Sequence, residues 1–267
     1  MPTVLTPRRT AAGLLAGGLV ITAITGCSSD SSSGTTSASA SSSSVPSANL
    51  TVLAAASLTD VFKTAGAAYE KDHPGTKVNF SFAGSQELAA QVKQGAPADV
   101  LVTADTKTMD GLKAETGDPR IIAKNRLVMV AGKDNPFKIA SLKDLADSKI
   151  KVVLAAPEVP VGRYSQQVLA AQNVTVKPVS QEPNVRAVLS KVELGEADAG
   201  IVYATDAATA KDKVSTIDIP DDQNAVASYP AASLKASKNA AAADAFVAWL
   251  ATPEAQKFLR DAGFQQP

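Results

Sequence analysis

The stretch Ala54-Ala55-Ala56-Ser57-Leu58-Thr59-Asp60 decides how the chain is read. It follows Leu50-Thr51-Val52-Leu53, an apolar run that reads as a short buried strand. It leads into apolar residues at positions 58, 61, 62, 65 and 69, a helical spacing. Ser57 is therefore expected at the helix N-cap, with Asp60 three residues on as its capping-box partner. A helix start offers free backbone N–H groups, and a serine hydroxyl beside them makes a ready anion site. One such junction is only a capped helix, whereas several that converge would be a site.

The junction recurs. Residues 77–82 alternate as a strand and pass through Ala83-Gly84-Ser85 into a helix over 86–94, closed by Gly95. Val100-Leu101-Val102-Thr103 is a third strand, followed by helix 108–113. Further strands are expected at 126–131, 150–155, 174–179, 199–203, 214–219 and 225–234. Helices are expected from 141, from the Pro157 to Tyr164 region as far as 171, over 186–194 behind Asn184 as N-cap, and over 239–251 and 253–262. Strand and helix alternate, which predicts an α/β fold with mostly parallel sheets. Ligands of such sheets sit at the carboxyl ends of strands, where Tyr203 and four of the helix starts fall.

The N-terminus has its own logic. Arg8-Arg9 is a basic segment, and the apolar stretch from Ala11 to Ile24 is too short for an ordinary membrane span. It ends in Ile24-Thr25-Gly26-Cys27, which resembles a bacterial lipobox. Residues 1–27 are thus expected to be a lipoprotein signal peptide ending at a lipidated Cys27. Residues 28–48, mostly serine, read as a flexible tether. Cys27 is the single cysteine, so no intramolecular disulfide forms.

The 26 basic and 26 acidic residues balance, and loss of Arg8 and Arg9 with the leader leaves a net charge of −2. No basic patch with interleaved aromatics is present, which argues against nucleic acid. An anion bound by such a chain must be attracted by local geometry.

Four segments together resemble the periplasmic molybdate-binding protein of the molybdate ABC transporter. They are Ala54 to Asp60, Phe82-Ala83-Gly84-Ser85, Gly95-Ala96-Pro97-Ala98-Asp99-Val100, and Ile201-Val202-Tyr203-Ala204-Thr205-Asp206. The likeness covers the whole globular part in order. It implies a two-lobed periplasmic-binding-protein type II fold, with lobe I at 49–127 and 230–267 and lobe II at 128–229. Residues 126–131 and 227–234 are then the two crossover strands. It implies high-affinity binding of molybdate, with tungstate as an equal fit, outside the membrane and delivery to an ABC transporter permease. Carried over position by position, Ser57 and Ser85 give hydroxyl and backbone donors, Val161 and Val185 backbone N–H groups, and Tyr203 its hydroxyl. Gly84 stands where the family often has serine. The resemblance implies no cofactor, no direct metal ligands, no catalysis, a monomer, and anchorage to the outer face of the cell membrane by lipid.

The chemistry agrees with this. A fully ionised oxyanion has only acceptor oxygens and is satisfied by a dry pocket of donors with helix dipoles behind them. Monohydrogen phosphate carries a proton, and leaving it unpaired costs about 1–3 kcal/mol. Receptors for sulfate, phosphate or an organic anion are the nearest alternatives, and the lack of aromatics around the expected site argues against sugars and amino acids. A serine hydrolase is the rival of another class. It would need a base for Ser57, and the only histidine, His73, lies in a helix-ending loop. Arg163 and Arg186 stand near two expected helix starts, as anion attractors or surface residues, and Asp60 and Asp99 are the nearest acids.

Overall fold

The structure, a computed structural model, describes residues 46–267. The signal peptide, Cys27 and nearly all of the serine-rich stretch lie outside the described residues.

The chain begins with β1 (Asn49–Ala55), a 3-10 turn (Ala56–Leu58) and α1 (Thr59–Asp72). Then come β2 (Lys77–Ala83), α2 (Ser85–Lys93), β3 (Val100–Val102), α3 (Thr106–Asp110) and the long β4 (Arg120–Gly132). After a 3-10 turn at Leu142–Ala146 follow β5 (Val152–Ala155), α4 (Pro160–Ala171), β6 (Ser180–Glu182) and α5 (Val185–Glu193). The chain closes with β7 (Ala199–Tyr203), α6 (Ala204–Ala208), β8 (Val214–Asp218), β9 (Val226–Ser233), α7 (Ala240–Trp249) and α8 (Pro253–Asp261).

The strands form one sheet in the order β2-β1-β3-β9-β4-β7-β5-β6, with β8 paired to β4. β1 pairs in parallel with β2 and β3, and β5 pairs in parallel with β6 and β7. Every antiparallel pairing involves β4 or β9. The expected parallel character thus holds outside the two crossing strands, and the sheet as a whole is mixed. β4 changes neighbours along its length: residues 120–126 pair with β9, and residues 127–132 with β7 and β8. β9 does the same, pairing β4 through residue 231 and then β3. Among the described residues, the pairing of these two strands is the ladder that joins β2-β1-β3 to β7-β5-β6.

Three expectations need correcting. β4 begins at Arg120, six residues before the expected start, because residues 120–125 pair with β9 despite their charges. The expected strand at 174–179 is irregular, and the pairing falls on β6. Val174 and Val176 pack on the core without a ladder, so their alternation imitated a strand. The short α6, directly after Tyr203, was not foreseen.

The core follows the apolar residues of the central strands. Val100, Leu101 and Val102 of β3 and Ile201 and Val202 of β7 are wholly buried. At the far end of α1, Tyr69 stacks on His73 with ring centroids 3.9 Å apart and meets Phe246 and Trp249 edge-on.

Candidate functional site

The alanine-rich end of β1 runs into the 3-10 turn that carries Ser57. Ser57 is buried, and its Oγ lies 2.9 Å from the hydroxyl of Tyr229 on β9. The expected capping box does not form. Leu58 occupies the cap position of α1 without a side-chain bond, and Thr59 Oγ1 donates to the Ala56 carbonyl instead. Ser57 is turned toward a buried partner and away from its own helix, while Asp60 reaches Arg186 at 2.8 Å.

Ser85 is the first residue of α2 and is 1 % exposed. Its Oγ accepts from the Ala104 N–H at 3.0 Å. That bond occupies a lone pair and leaves the serine proton free to donate. Gly84, just before it, lets two backbones meet: a Cβ there would lie 2.3 Å from the Pro183 carbonyl oxygen. A serine at this position would force α2 and the start of α5 apart.

Val161 lies in the first turn of α4, after Pro160 at the position where proline's missing N–H costs nothing. Gly162 follows because a Cβ would come within 2.0 Å of the Ala156 carbonyl oxygen, so the helix start can sit against the end of β5. Val185 opens α5 behind Asn184, whose Oδ1 caps the helix by accepting from Ala187 N–H at 3.0 Å. The first N–H groups of α-helices have no intrahelical acceptor, so both valines offer backbone donors while their side chains are buried.

Tyr203 ends β7 and is 1 % exposed. Among the described residues its hydroxyl has no hydrogen-bond partner. Burial pushes its pKa well above the usual phenol range, so the group stays a protonated donor. Its ring meets that of Tyr229 edge-on at 5.9 Å.

Ser57, Ser85, Val161, Val185 and Tyr203 line one cavity, with Ala55, Ala56, Gly84, Ala104, Pro160 and Asn184 among its other walls. The cavity is small, with a volume of about 10 Å³, the space of about one water molecule. No charged side chain lines it. Three α-helix starts, of α2, α4 and α5, and the 3-10 turn supply partial positive charge instead.

The charged residues near these helix starts are engaged with one another. Arg163 pairs with Asp105 and donates to Thr108 Oγ1 at 3.0 Å. Arg186 pairs with Asp60 and with the fully buried Asp206. Neither arginine lines the cavity. Asp99 accepts from Thr51 N–H and Ser237 Oγ, a structural role at the start of β3. Sequence reasoning missed Asn125, Thr205 and Tyr229, which form a buried polar cluster behind Ser57. For Asn125 and Tyr229 the available signal was a polar group within a strand, and Thr205 sits in the unforeseen α6.

A mixed, curled sheet with flanking helices and a small cavity at strand ends is the architecture of periplasmic solute-binding proteins. The chain belongs to the bacterial extracellular solute-binding protein family, whose model matches residues 50–265. It is 40% identical over 222 residues to the molybdate-binding protein ModA of Mycobacterium tuberculosis, covering 82% of this chain and 85% of that protein. It is 33% identical over 250 residues to the putative ABC transporter substrate-binding lipoprotein YvgL of Bacillus subtilis, covering 90% and 92%. In fold it resembles the periplasmic molybdate-binding protein of Azotobacter vinelandii, with a TM-score of 0.71, 24% identity, and 82% and 99% of the chains covered. It likewise resembles the sulfate-binding protein SubI of Mycobacterium tuberculosis, with a TM-score of 0.74, 21% identity, and 82% and 86% covered.

Proposed function

We propose that this cavity binds molybdate, and tungstate alike, outside the membrane and delivers it to the permease of an ABC transporter. The observation that carries the reading is the buried, partnerless hydroxyl of Tyr203 in a cavity without charged walls. A buried donor left unpaired costs about 1–3 kcal/mol, which an acceptor-only ligand recovers. Ser57 and Ser85 donate through hydroxyl and backbone, Val161 and Val185 through backbone N–H, and Tyr203 through its hydroxyl. The molybdate-binding relative at 40% identity supports the choice of anion.

The reading includes two lobes, 49–127 with 230–267 and 128–229, which close on the anion about β4 and β9. The chain is exported, as its family is extracellular. Lipid anchorage at Cys27, supported by the lipoprotein relative, and a monomeric state complete the proposal. Catalysis has no part in it. His73 caps the far end of α1, about 20 Å from Ser57 by helical rise.

Sulfate is the second reading, favoured by the fold likeness to SubI, because it too has only acceptor oxygens. A thermal-shift panel of molybdate, tungstate, sulfate and phosphate decides between them. Ligand at a hundred times its Kd stabilises the native state by about 2.7 kcal/mol. Molybdate and tungstate are expected to raise Tm at micromolar concentration and phosphate to leave it unchanged. A response to sulfate alone favours the second reading, and a response to none of the four overturns both.

A further inference from the structure

We propose that Tyr229 and Asn125 are positioning residues that fix the direction of the Ser57 proton, so that Ser57 meets the cavity as a donor. The inference deepens the oxyanion reading and rests on it.

The argument starts at Asn125 on β4, which is 1 % exposed. Its Oδ1 accepts from the Arg126 N–H at 3.0 Å. A backbone N–H can only donate, so this bond fixes which end of the amide is oxygen. The Nδ2 end must then face the other way, where it donates to Thr205 Oγ1 at 2.8 Å and reaches the Tyr229 hydroxyl at 3.5 Å. An amide nitrogen offers no lone pair, so Tyr229 cannot give its proton to Asn125.

Tyr229 is wholly buried. Its other hydrogen-bond partner is Ser57 Oγ at 2.9 Å. The phenol proton therefore goes to Ser57, and Ser57 accepts on that side. Burial also pushes the Tyr229 pKa upward, which keeps the phenol protonated. Ser57 is left with its own proton, and Ser57 lines the cavity. The polarity thus runs from Asn125 through Tyr229 and Ser57 to the bound anion.

Ser85 shows the same arrangement by another route. The Ala104 N–H donates to its oxygen from behind, so its proton also remains for the cavity. A side-chain chain does for Ser57 what the backbone does for Ser85. The consequence is selectivity. A serine free to rotate turns a lone pair to the proton of monohydrogen phosphate at no cost, whereas a serine whose proton is held toward the anion must break that alignment to accept it.

The test is a double-mutant cycle on the purified protein, with sodium molybdate and sodium phosphate titrated separately by calorimetry. Tyr229→Phe keeps the ring and removes only the hydroxyl. It is expected to lower molybdate affinity by about threefold to thirtyfold, yet by less than about twofold when Ser57 is already alanine. It is also expected to raise phosphate affinity relative to molybdate, a change that loss of packing would not produce. Should Tyr229→Phe fold poorly, Asn125→Asp replaces the donor by an acceptor, reverses the chain, and shifts the same ratio toward phosphate. Equal losses in both Ser57 backgrounds, or an unchanged phosphate-to-molybdate ratio, overturn the inference while the site reading stands. An unsubstituted protein that binds no molybdate overturns the reading itself.

Discussion

Asp60 on α1 and Arg186 on α5 stand 126 residues apart in sequence and are joined at 2.8 Å beside the cavity that Ser57 and Val185 line. The pair links the helix after β1 to the helix after β6, the two sides of the proposed cleft. Arg163 with Asp105, and Gln86 Nε2 donating to the Pro183 carbonyl at 2.8 Å, span the same division.

If these contacts hold the lobes shut, Asp60→Asn speeds ligand release. The Asp60 side chain is 58% exposed, so the pair contributes only about 0.2–1 kcal/mol, and release should quicken by about 1.4-fold to fivefold. Asp60 is the partner to change, because altering Arg186 strands the buried Asp206 charge. Stopped-flow displacement of molybdate measures the rate. The difference should shrink at high salt, and an unchanged rate at low salt contradicts the latch.

Tyr203→Phe should separate stability from function. It removes one hydrogen bond to a charged acceptor, worth about 1.5–3 kcal/mol, or about tenfold to hundredfold in affinity. The same change removes a buried hydroxyl that has no partner, so the ligand-free protein should melt no lower and even slightly higher. Val185→Ala keeps its backbone donor and should bind nearly as the parent does. Calorimetry and melting curves on the pair decide it, and a silent Tyr203→Phe contradicts the donor assignment.

Much of this was legible along the chain, and the limits are physical. β7 was read to the residue, because Ala199 to Tyr203 is an apolar run with β-branched members. Asn184 was read as a cap because its chemistry is local. Ser57 was misread because the same hydroxyl suits a cap or a distant partner, and Tyr229 lies 172 residues away. The partners of Arg163 and Arg186 are tertiary for the same reason: the positions of both beside helix starts were visible, whereas the carboxylates facing them were not. The convergence of five residues on one cavity came from resemblance, since spacing alone does not bring strand ends together.

Asp206 gives a pH signature. Burial pushes its carboxyl up to about 6, against the attraction of Arg186, from an ordinary value of 3.8. The native state then holds the proton more tightly than the unfolded chain. The contribution to stability is fully present below about pH 4 and is lost as pH rises through about 6. Relative to Asp206→Asn, the unsubstituted protein should gain on the order of 2 kcal/mol between pH 7 and pH 4. Denaturant unfolding of both proteins across that range measures it, and parallel curves contradict the shift.

Cys27→Ala tests the anchor, which lies outside the described residues. No helix among the described residues is long and apolar enough to cross a membrane. The substitution should move the protein from the membrane fraction to the soluble one. Unchanged fractionation, with no lipid mass on Cys27, rules the anchor out.

The central claim is that one charge-free cavity holds a tetrahedral oxyanion through neutral donors. Crystals grown with tungstate, located by the anomalous scattering of tungsten, test it most directly. The account predicts a single strong peak among Ser57, Ser85, Val161, Val185 and Tyr203. The tungstate oxygens should lie about 2.7–3.2 Å from the three hydroxyls and from the Val161 and Val185 nitrogens. A peak beside Arg163 or Arg186, or an empty cavity at saturating tungstate, contradicts it.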